Sequence, residues 1–487
     1  MGNVLGNLEP KLVWELFEEI TKVPRPSKRE EKIAAWMVKF AEENNLEWQK
    51  DELGNLIIRK PATSGMEDKK GIVIQGHLDM VCEKNSDVEF DFDNDPLQVY
   101  IDGDWVKAKG TTLGADNGIG LAMGLALLKS TDIPHPYLEL LCTLDEETGL
   151  TGAMQLGTDL IKADILINLD SEEDGAFTIG CAGGMNTSAS YKYEMDAIPA
   201  NHTAYAINLT GLQGGHSGIE IHDGRANAIK LLNRILWNYI DKYDFRISSF
   251  TAGSAHNAIP REAFAVVTVA KDDESKFLEN IKECNDTYKQ EWGTKEPSIN
   301  LEATPTDMPS RVMTKDMQKQ LTTSLYASFH GPLRYSPDID GLVQTSTNLA
   351  TIETKDDEVF VLTSQRSSVE SEKIDMANMV RCAFELGGAK VEHGDGYPAW
   401  QPNINSPILN IAKNIFIEMY GKEPVIEAIH AGLECGLIGE KYPGIDMLSF
   451  GPNLKDVHSP DEKMQISTVV KCWNLLLEIV KNIPAKG

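Results

Sequence analysis

"LELLCTLDEETGLTGA" (138–153) opens as a short apolar run and ends in three acids, Asp145, Glu146 and Glu147. A run that is apolar at both odd and even positions has no solvent face, because neighbouring strand residues point to opposite sides. It reads as a strand covered on both faces. The two glutamates cannot continue it, since neither face of a buried sheet accepts an unpaired carboxylate. If the strand stops at Leu144, they diverge beyond its end. Working outward, "KGIVIQG" (70–76) runs into "HLD", and "ADILINLD" (163–170) runs into "SEED". Such runs alternating with helical patterns predict an α/β fold with a mostly parallel central sheet covered by helices. In open α/β sheets the ligand crevice lies at the carboxyl ends of the strands. Here three strands deliver acids and a histidine to that edge.

The chain's 487 residues exceed one compact core, so two domains are expected. The character changes after "IGCAGGMN" (179–186), where longer alternating strands such as "HTAYAINLTG" begin, and the first style resumes at "YPAWQPNINSP". We therefore expect a catalytic domain of residues 1–185 and 397–487, and an inserted α+β domain of residues 186–396. Glycines around 183–184 and 394–396 suggest flexible linkers. Within the insert, 230–259 resembles 317–352 as helix, strand, Ser-x(1–2)-Asn, strand and helix, which suggests internal duplication.

A formal net charge of −28 disfavours nucleic acid, whose phosphates need a basic face, and anionic membranes as well. Seven scattered cysteines with no CxxC pair fit reduced thiols in a cytoplasmic protein and offer no sulfur-based metal site. "MGNVLGNLEPK" lacks a basic n-region and an apolar h-region, so no signal peptide is expected. The run "GIGLAMGLALL" (118–128) is too short to span a bilayer.

Five segments carry candidate chemistry. In "QGHLDM", His77 and Asp79 point the same way at period 2, which suits a metal-ligating imidazole beside an orienting carboxylate. Asp116 lies in "GTTLGADNGIG" (110–120) just before a helix. Helix capping is its plain alternative, and a phosphate loop is excluded because no Gly-Lys-Ser/Thr follows. Glu146 with Glu147, Asp170, and His458 in "PNLKDVHSPDE" complete the set. Ionised acids from four positions would repel one another at the sheet edge unless neutralised. Two divalent cations, with one carboxylate shared, resolve this. The N/O donors favour zinc, with cobalt or manganese as alternatives. One adjacent glutamate would ligate and the other act as general base.

Taken in order, "GHLDMV", "GTTLGADNGIG", "TLDEETG", "INLDSEEDG" and "VHSPDE" resemble the metal motifs of the M20 metallopeptidases, in particular the aminoacyl-histidine dipeptidase branch. The resemblance covers essentially the whole chain and implies a zinc-peptidase-like catalytic domain with an inserted lid. It implies Asp116 as bridging carboxylate, His77 and Asp170 on one metal, and Glu147 and His458 on the other. Asp79 would orient His77, and Glu146 would be the base. In the lid, His216 of "GLQGGHSGIEI" would stabilise the oxyanion. Asn257, Arg366, His430 and Glu434 would face the substrate, with Arg366 suited to a carboxylate and Glu434 to a free α-amino group. The implied activity is hydrolysis of unblocked dipeptides, Xaa-His among them, by a monomer or homodimer whose duplicated lid completes the site in one chain. The alternative is an M20 deacylase of N-acyl amino acids, distinguished by whether a free amino terminus is required.

Overall fold

The three apolar runs form the interior of an eight-stranded sheet in the computed structural model, which describes residues 4–486. Its order is Glu47–Lys50, Leu56–Lys60, Leu138–Thr143, Ile72–His77, Ile165–Asn168, Asp446–Ser449, Ala176–Cys181, Val425–Ile429. Ile72–His77 pairs in parallel with Leu138–Thr143 and Ile165–Asn168, and Asp446–Ser449 lies parallel beside the latter. These four neighbouring strands form the parallel centre of the sheet. The hairpin Glu47–Lys60 joins one flank and Ala176–Cys181 the other, both antiparallel. Every residue of Ile72–His77, Leu138–Thr143 and Ile165–Asn168 is buried. Each Ile or Leu there contributes about 1.5–3 kcal/mol by leaving water.

The helix Ala115–Lys129 is apolar all round and buried along almost its whole length, as a helix enclosed on every side must be. A Cβ on its Gly124 would lie 2.4 Å from Leu140 Cδ1, so glycine there permits the close approach to the sheet. This unit comprises the chain up to Cys181, Trp400–Ala428 and Leu433 onward.

Ala182–Ala399, together with Ile429–Gly432, forms a second unit. Its antiparallel sheet runs Asn300–Pro305, His202–Thr210, Ala263–Ala270, Phe245–Ala252, Val343–Thr354, Glu358–Ser367, Gly183–Lys192, Lys390–Tyr397. The first four strands, with helices Ala228–Tyr239 and Glu274–Trp292, have the same succession as the last four with helices Lys315–Ala327 and Glu370–Leu386. The halves are mirrored about Phe245–Ala252 and Val343–Thr354, which meet at Ala252 and Ile352. They are nested rather than in tandem: Gly183–Lys192 belongs to the second half, and residues 202–305 are threaded between it and that half's first helix. The helices are amphipathic. Ala228–Tyr239, capped by Asn227 accepting from the Lys230 amide (3.2 Å), buries Ile229, Leu232, Ile235 and Leu236.

The glycines read as linkers behave differently. Gly183 and Gly184 lie in a paired strand opposite Ser367 and Arg366, and Gly396 pairs with Met185. A Cβ on Gly183 would meet the Ala399 amide nitrogen at 2.7 Å, and one on Gly184 the Tyr397 ring at 2.5 Å. Close packing, not looseness, accounts for glycine here.

Candidate metal centre

His77 closes its strand level with Thr143, and the Leu78 amide donates to the Thr143 carbonyl at 2.8 Å. The neighbouring strand ends at Thr143. Asp145 then adopts a left-handed conformation (φ 49°), and Glu146–Gly149 forms a single helical turn. The glutamate pair therefore heads a helical turn, not an open loop. The Asp79 carboxylate accepts both their amides, from Glu146 at 3.0 Å and Glu147 at 3.2 Å. These are first-turn donors that have no partner within the helix. Asp79 Oδ1 is also 3.4 Å from His77 Nδ1, while that nitrogen lies 3.2 Å from the Asp79 carbonyl. With Nδ1 engaged on that side, Nε2 faces the other acids.

Asp116 presents one oxygen to each imidazole. Its Oδ1 is 2.9 Å from His77 Nε2, and its Oδ2 is 3.2 Å from His458 Nε2. Asp170 Oδ1 lies 3.5 Å from His77 Nε2, and Glu147 Oε2 lies 3.1 Å from His458 Nε2. Two ligand sets result, His77–Asp116–Asp170 and Asp116–Glu147–His458, each with donor atoms within 4.8 Å of one another. Glu146 enters a third set with His77 and Glu147. Asp116 and Asn117 depart from helical dihedrals at the start of their helix. Asn117 donates to the Leu169 carbonyl (2.6 Å) and to Asp170, tying the two aspartate segments together.

The charges explain one another. Burial alone would lower His77, but Asp170, Asp116 and Asp79 outweigh it and hold the imidazole well above its usual range. Hydrogen bonds to Asp116 and Glu147 push His458 up to about 11. Burial raises Glu147 and Asp170, and burial with the neighbouring acids Asp170, Glu434 and Glu147 raises Glu146 well above a normal carboxylate. Asp79 and Asp116 go the other way: despite burial, the His77 contact takes Asp79 down to about 2, and His458 with His77 holds Asp116 well below the carboxylate range.

A pair of divalent cations fits these residues. The donors are imidazole nitrogen and carboxylate oxygen, and Glu147 Oε1 is buried without a hydrogen-bond partner among the described residues. A model of peptidase family M20/M25/M40 matches residues 73–482.

The chain belongs to that family.

Over 482 residues it is 42% identical to the cytosol non-specific dipeptidase of Escherichia coli K12, spanning 99% of both chains. It superposes on the crystal structure of an aminoacylhistidine dipeptidase from Vibrio alginolyticus with a TM-score of 0.93, 43% identity and 99% coverage of each chain. An aminopeptidase, PepT, from Bacillus cereus shares the fold at 17% identity and a TM-score of 0.57, with 98% and 99% of the two chains covered.

The remaining expected residues of this M20 peptidase divide between the units. In the second, His216 lies on a two-residue strand opposite Ala258, and its Nδ1 accepts the amides of Gly218 and Ile219, both at 3.2 Å. Backbone amides can only donate, so in the neutral ring Nε2 carries the proton. Asn257 is exposed, and its carbonyl accepts from the Ser217 amide at 2.8 Å. Arg366 is buried, with Nη1 donating to Tyr397 Oη (2.7 Å). His430 falls in the short segment grouped with the second unit; it is buried against Ser346 Oγ (2.7 Å) and taken down to about 3 by burial and then Arg366.

Glu434 belongs to the first unit and is fully enclosed. Its Oε2 accepts from Gln75 (2.6 Å) and Thr143 (2.8 Å), burial lifts it to about 7, and Oε1 has no partner among the described residues. Gln75 in turn accepts from Asn168 at 2.6 Å. This polar row inside the sheet was not anticipated, although Gln75 and Asn168 stand out as amides within apolar runs. Arg25 and Glu462 were likewise passed over. The available signals were an arginine between two prolines in "VPRPS" and an acid inside the His458 motif itself.

Proposed function

We propose that this M20 peptidase is a cytoplasmic, metal-dependent dipeptidase acting on unblocked dipeptides, with aminoacyl-histidine among its substrates. One observation carries the reading: Asp116 offers a separate oxygen to each of two histidine–carboxylate sets, beside a further acid, Glu146. The names of the Escherichia coli and Vibrio alginolyticus relatives support the substrate class.

In this proposal His77, Asp116 and Asp170 hold one ion, and Asp116, Glu147 and His458 hold the other, zinc being the first choice and cobalt or manganese the alternatives. Bound there, such ions supply a Lewis acid for the scissile carbonyl and a more acidic water. Asp79 fixes the amides of Glu146 and Glu147 and so aims both carboxylates. Glu146 removes the proton from the attacking water as its oxygen bonds to the carbonyl carbon. It then returns that proton to the departing amine as the C–N bond breaks. His216, with its proton on Nε2, is suited to donate to the developing oxyanion, a contact worth about 2.7–4 kcal/mol of barrier. Arg366, whose Nε has no hydrogen-bond partner among the described residues, is suited to a substrate carboxylate. Asn257 and His430 are assigned to the substrate's flanks, and the unpartnered Glu434 Oε1 to its α-amino group.

The test is a hydrolysis screen on chelated protein reloaded with single metals, using Xaa-His, Xaa-Gly, β-alanyl-His and their N-acetyl forms. Loss of activity on chelation, recovery with zinc, cobalt or manganese, and rejection of N-acetyl substrates are expected. N-acetyl compounds cleaved as readily as free dipeptides would replace this reading with a deacylase. Unaltered discrimination in a Glu434→Gln enzyme would remove that residue from amine recognition.

A further inference from the structure

We propose that Arg25 and Glu462 form a buried clamp on the turn preceding Asp116, and that each arm sets the affinity of a different ion. The inference rests on the two-ion reading above. Glu462 Oε2 accepts the amides of Leu113 (2.7 Å) and Gly114 (3.0 Å), and its Oε1 accepts that of Ala115 (2.8 Å). From the other side Arg25 Nη2 donates to the Gly114 carbonyl, while Nη1 donates to the carbonyls of Leu78 (3.1 Å) and Asp79 (2.5 Å). Both side chains are 2% exposed.

Arg25 comes from the break between helices Lys11–Ile20 and Glu31–Glu43, and Glu462 lies four residues after His458. Arg25 therefore joins the His77–Asp79 segment to the Asp116 turn, and Glu462 joins that same turn to the His458 loop. Gly114 takes φ 64°, and a Cβ there would lie 2.6 Å from Arg25 Nη2 and 2.8 Å from Met80 Sδ. The turn is shaped to admit the guanidinium.

A buried charge is costly unless compensated. Among the described residues each is answered by backbone dipoles of ligand-bearing segments: three amides for the carboxylate, three carbonyls for the guanidinium. Among the described residues neither hydrogen-bonds nor ion-pairs with a ligand side chain. What they fix is the placement of Asp116 against His77 on one side and against His458 on the other. Groups that hold ligands in place typically govern ion affinity by about 10–100-fold. Glutamine at 462 keeps one acceptor oxygen and turns a donor toward an amide. Lysine at 25 loses the planar fork that spans two segments.

The experiment is calorimetric titration of the chelated full-length protein with Co²⁺, with Asp170→Asn and His458→Ala marking the two binding steps. Wild type should bind two ions. Glu462→Gln should weaken the step lost in His458→Ala by about 10–100-fold, and Arg25→Lys the step lost in Asp170→Asn by a similar factor. Circular dichroism and melting of the ion-free variants verify folding. If Glu462→Gln does not fold, Glu462→Asp carries the same test, since it keeps both oxygens but withdraws them by one methylene. Folded variants binding both ions within twofold of wild type, or weakening both steps equally, would overturn the proposal. A wild type that binds no Co²⁺ would instead remove the two-ion reading on which it rests.

Discussion

Two acidic clusters lie side by side in the first unit, and proximity alone does not tell them apart. Glu30, Asp79 and Asp145 bring carboxylate oxygens within 4.8 Å of one another, as the sets around Asp116 do. In the first cluster the oxygens are engaged by the protein. Glu30 accepts the amides of Lys28 (2.9 Å) and Asp145 (3.0 Å), Asp79 accepts those of Glu146 and Glu147, and Asp145 accepts the hydroxyls of Thr148 and Thr151. Around Asp116 the acids face two imidazoles, and a buried Glu147 oxygen has no partner among the described residues. Backbone amides and hydroxyls that engage the acids of the first cluster make them a scaffold, even where, as at Asp79, an imidazole lies alongside. Imidazoles and an unengaged oxygen make the Asp116 cluster a cation site.

The largest expected effect breaks the division of labour between the adjacent glutamates. Glu146→Gln should lower kcat by roughly 10²–10⁴-fold, the range for loss of a general base. Metal analysis should still find both ions, because Glu146 belongs to neither proposed ligand pair of Asp116. Loss of an ion with the activity would make Glu146 a ligand and leave Glu147 as the candidate base.

A smaller effect tests whether protons stand in for cations around Asp116. His458 is held at about 11 by Asp116 and Glu147, and His77 is well above its usual value. Both folded-state values exceed the unfolded one. Their stabilisation is therefore complete below about pH 6.5 and lost as pH rises through the folded values. Near pH 8 the ion-free protein then carries His458 protonated, and loading should release protons, on the order of one per chain from His458 and more where His77 is protonated as well. Calorimetry in buffers of different ionisation enthalpy measures this directly. No release at pH 8 would mean that the rings are already neutral before loading.

The catalytic half of this molecule was legible because its chemistry is local to strand ends. Apolar runs stopping in His77, Glu146–Glu147 and Asp170 place those groups on one edge by strand geometry alone, and the M20 resemblance assigned their roles. The parallel core of the sheet followed from runs with no polar face. What escaped reading depends on contacts remote in sequence. Arg25 meets Gly114 across 89 residues, and Glu462 meets Leu113 across 349. No periodicity records either. The nested second unit was half visible: helix–strand patterns suggested two similar halves, but not that Gly183–Lys192 lies with the later set of strands. The glycines at 183–184 were misassigned because flexibility and close approach favour the same residue, and only the neighbours Tyr397 and Ala399 distinguish them.

The smallest expected effect falls on the scaffold cluster. Asp145 holds φ 49°, a conformation that asparagine also tolerates, so Asp145→Asn removes the charge while keeping the turn. The threonine hydroxyls can rotate to accept from the new amide as well as donate to its oxygen. A loss of only about 1 kcal/mol in stability is therefore expected, the net worth of a hydrogen bond weakened rather than abandoned. Chemical denaturation measures that loss, and metal analysis should find two ions per chain in both proteins. Had Glu30, Asp79 and Asp145 held a cation of their own, removing a third of its charge would lower the ion content instead. The contrast between engaged and unengaged acids would then fail as a guide to which cluster binds metal.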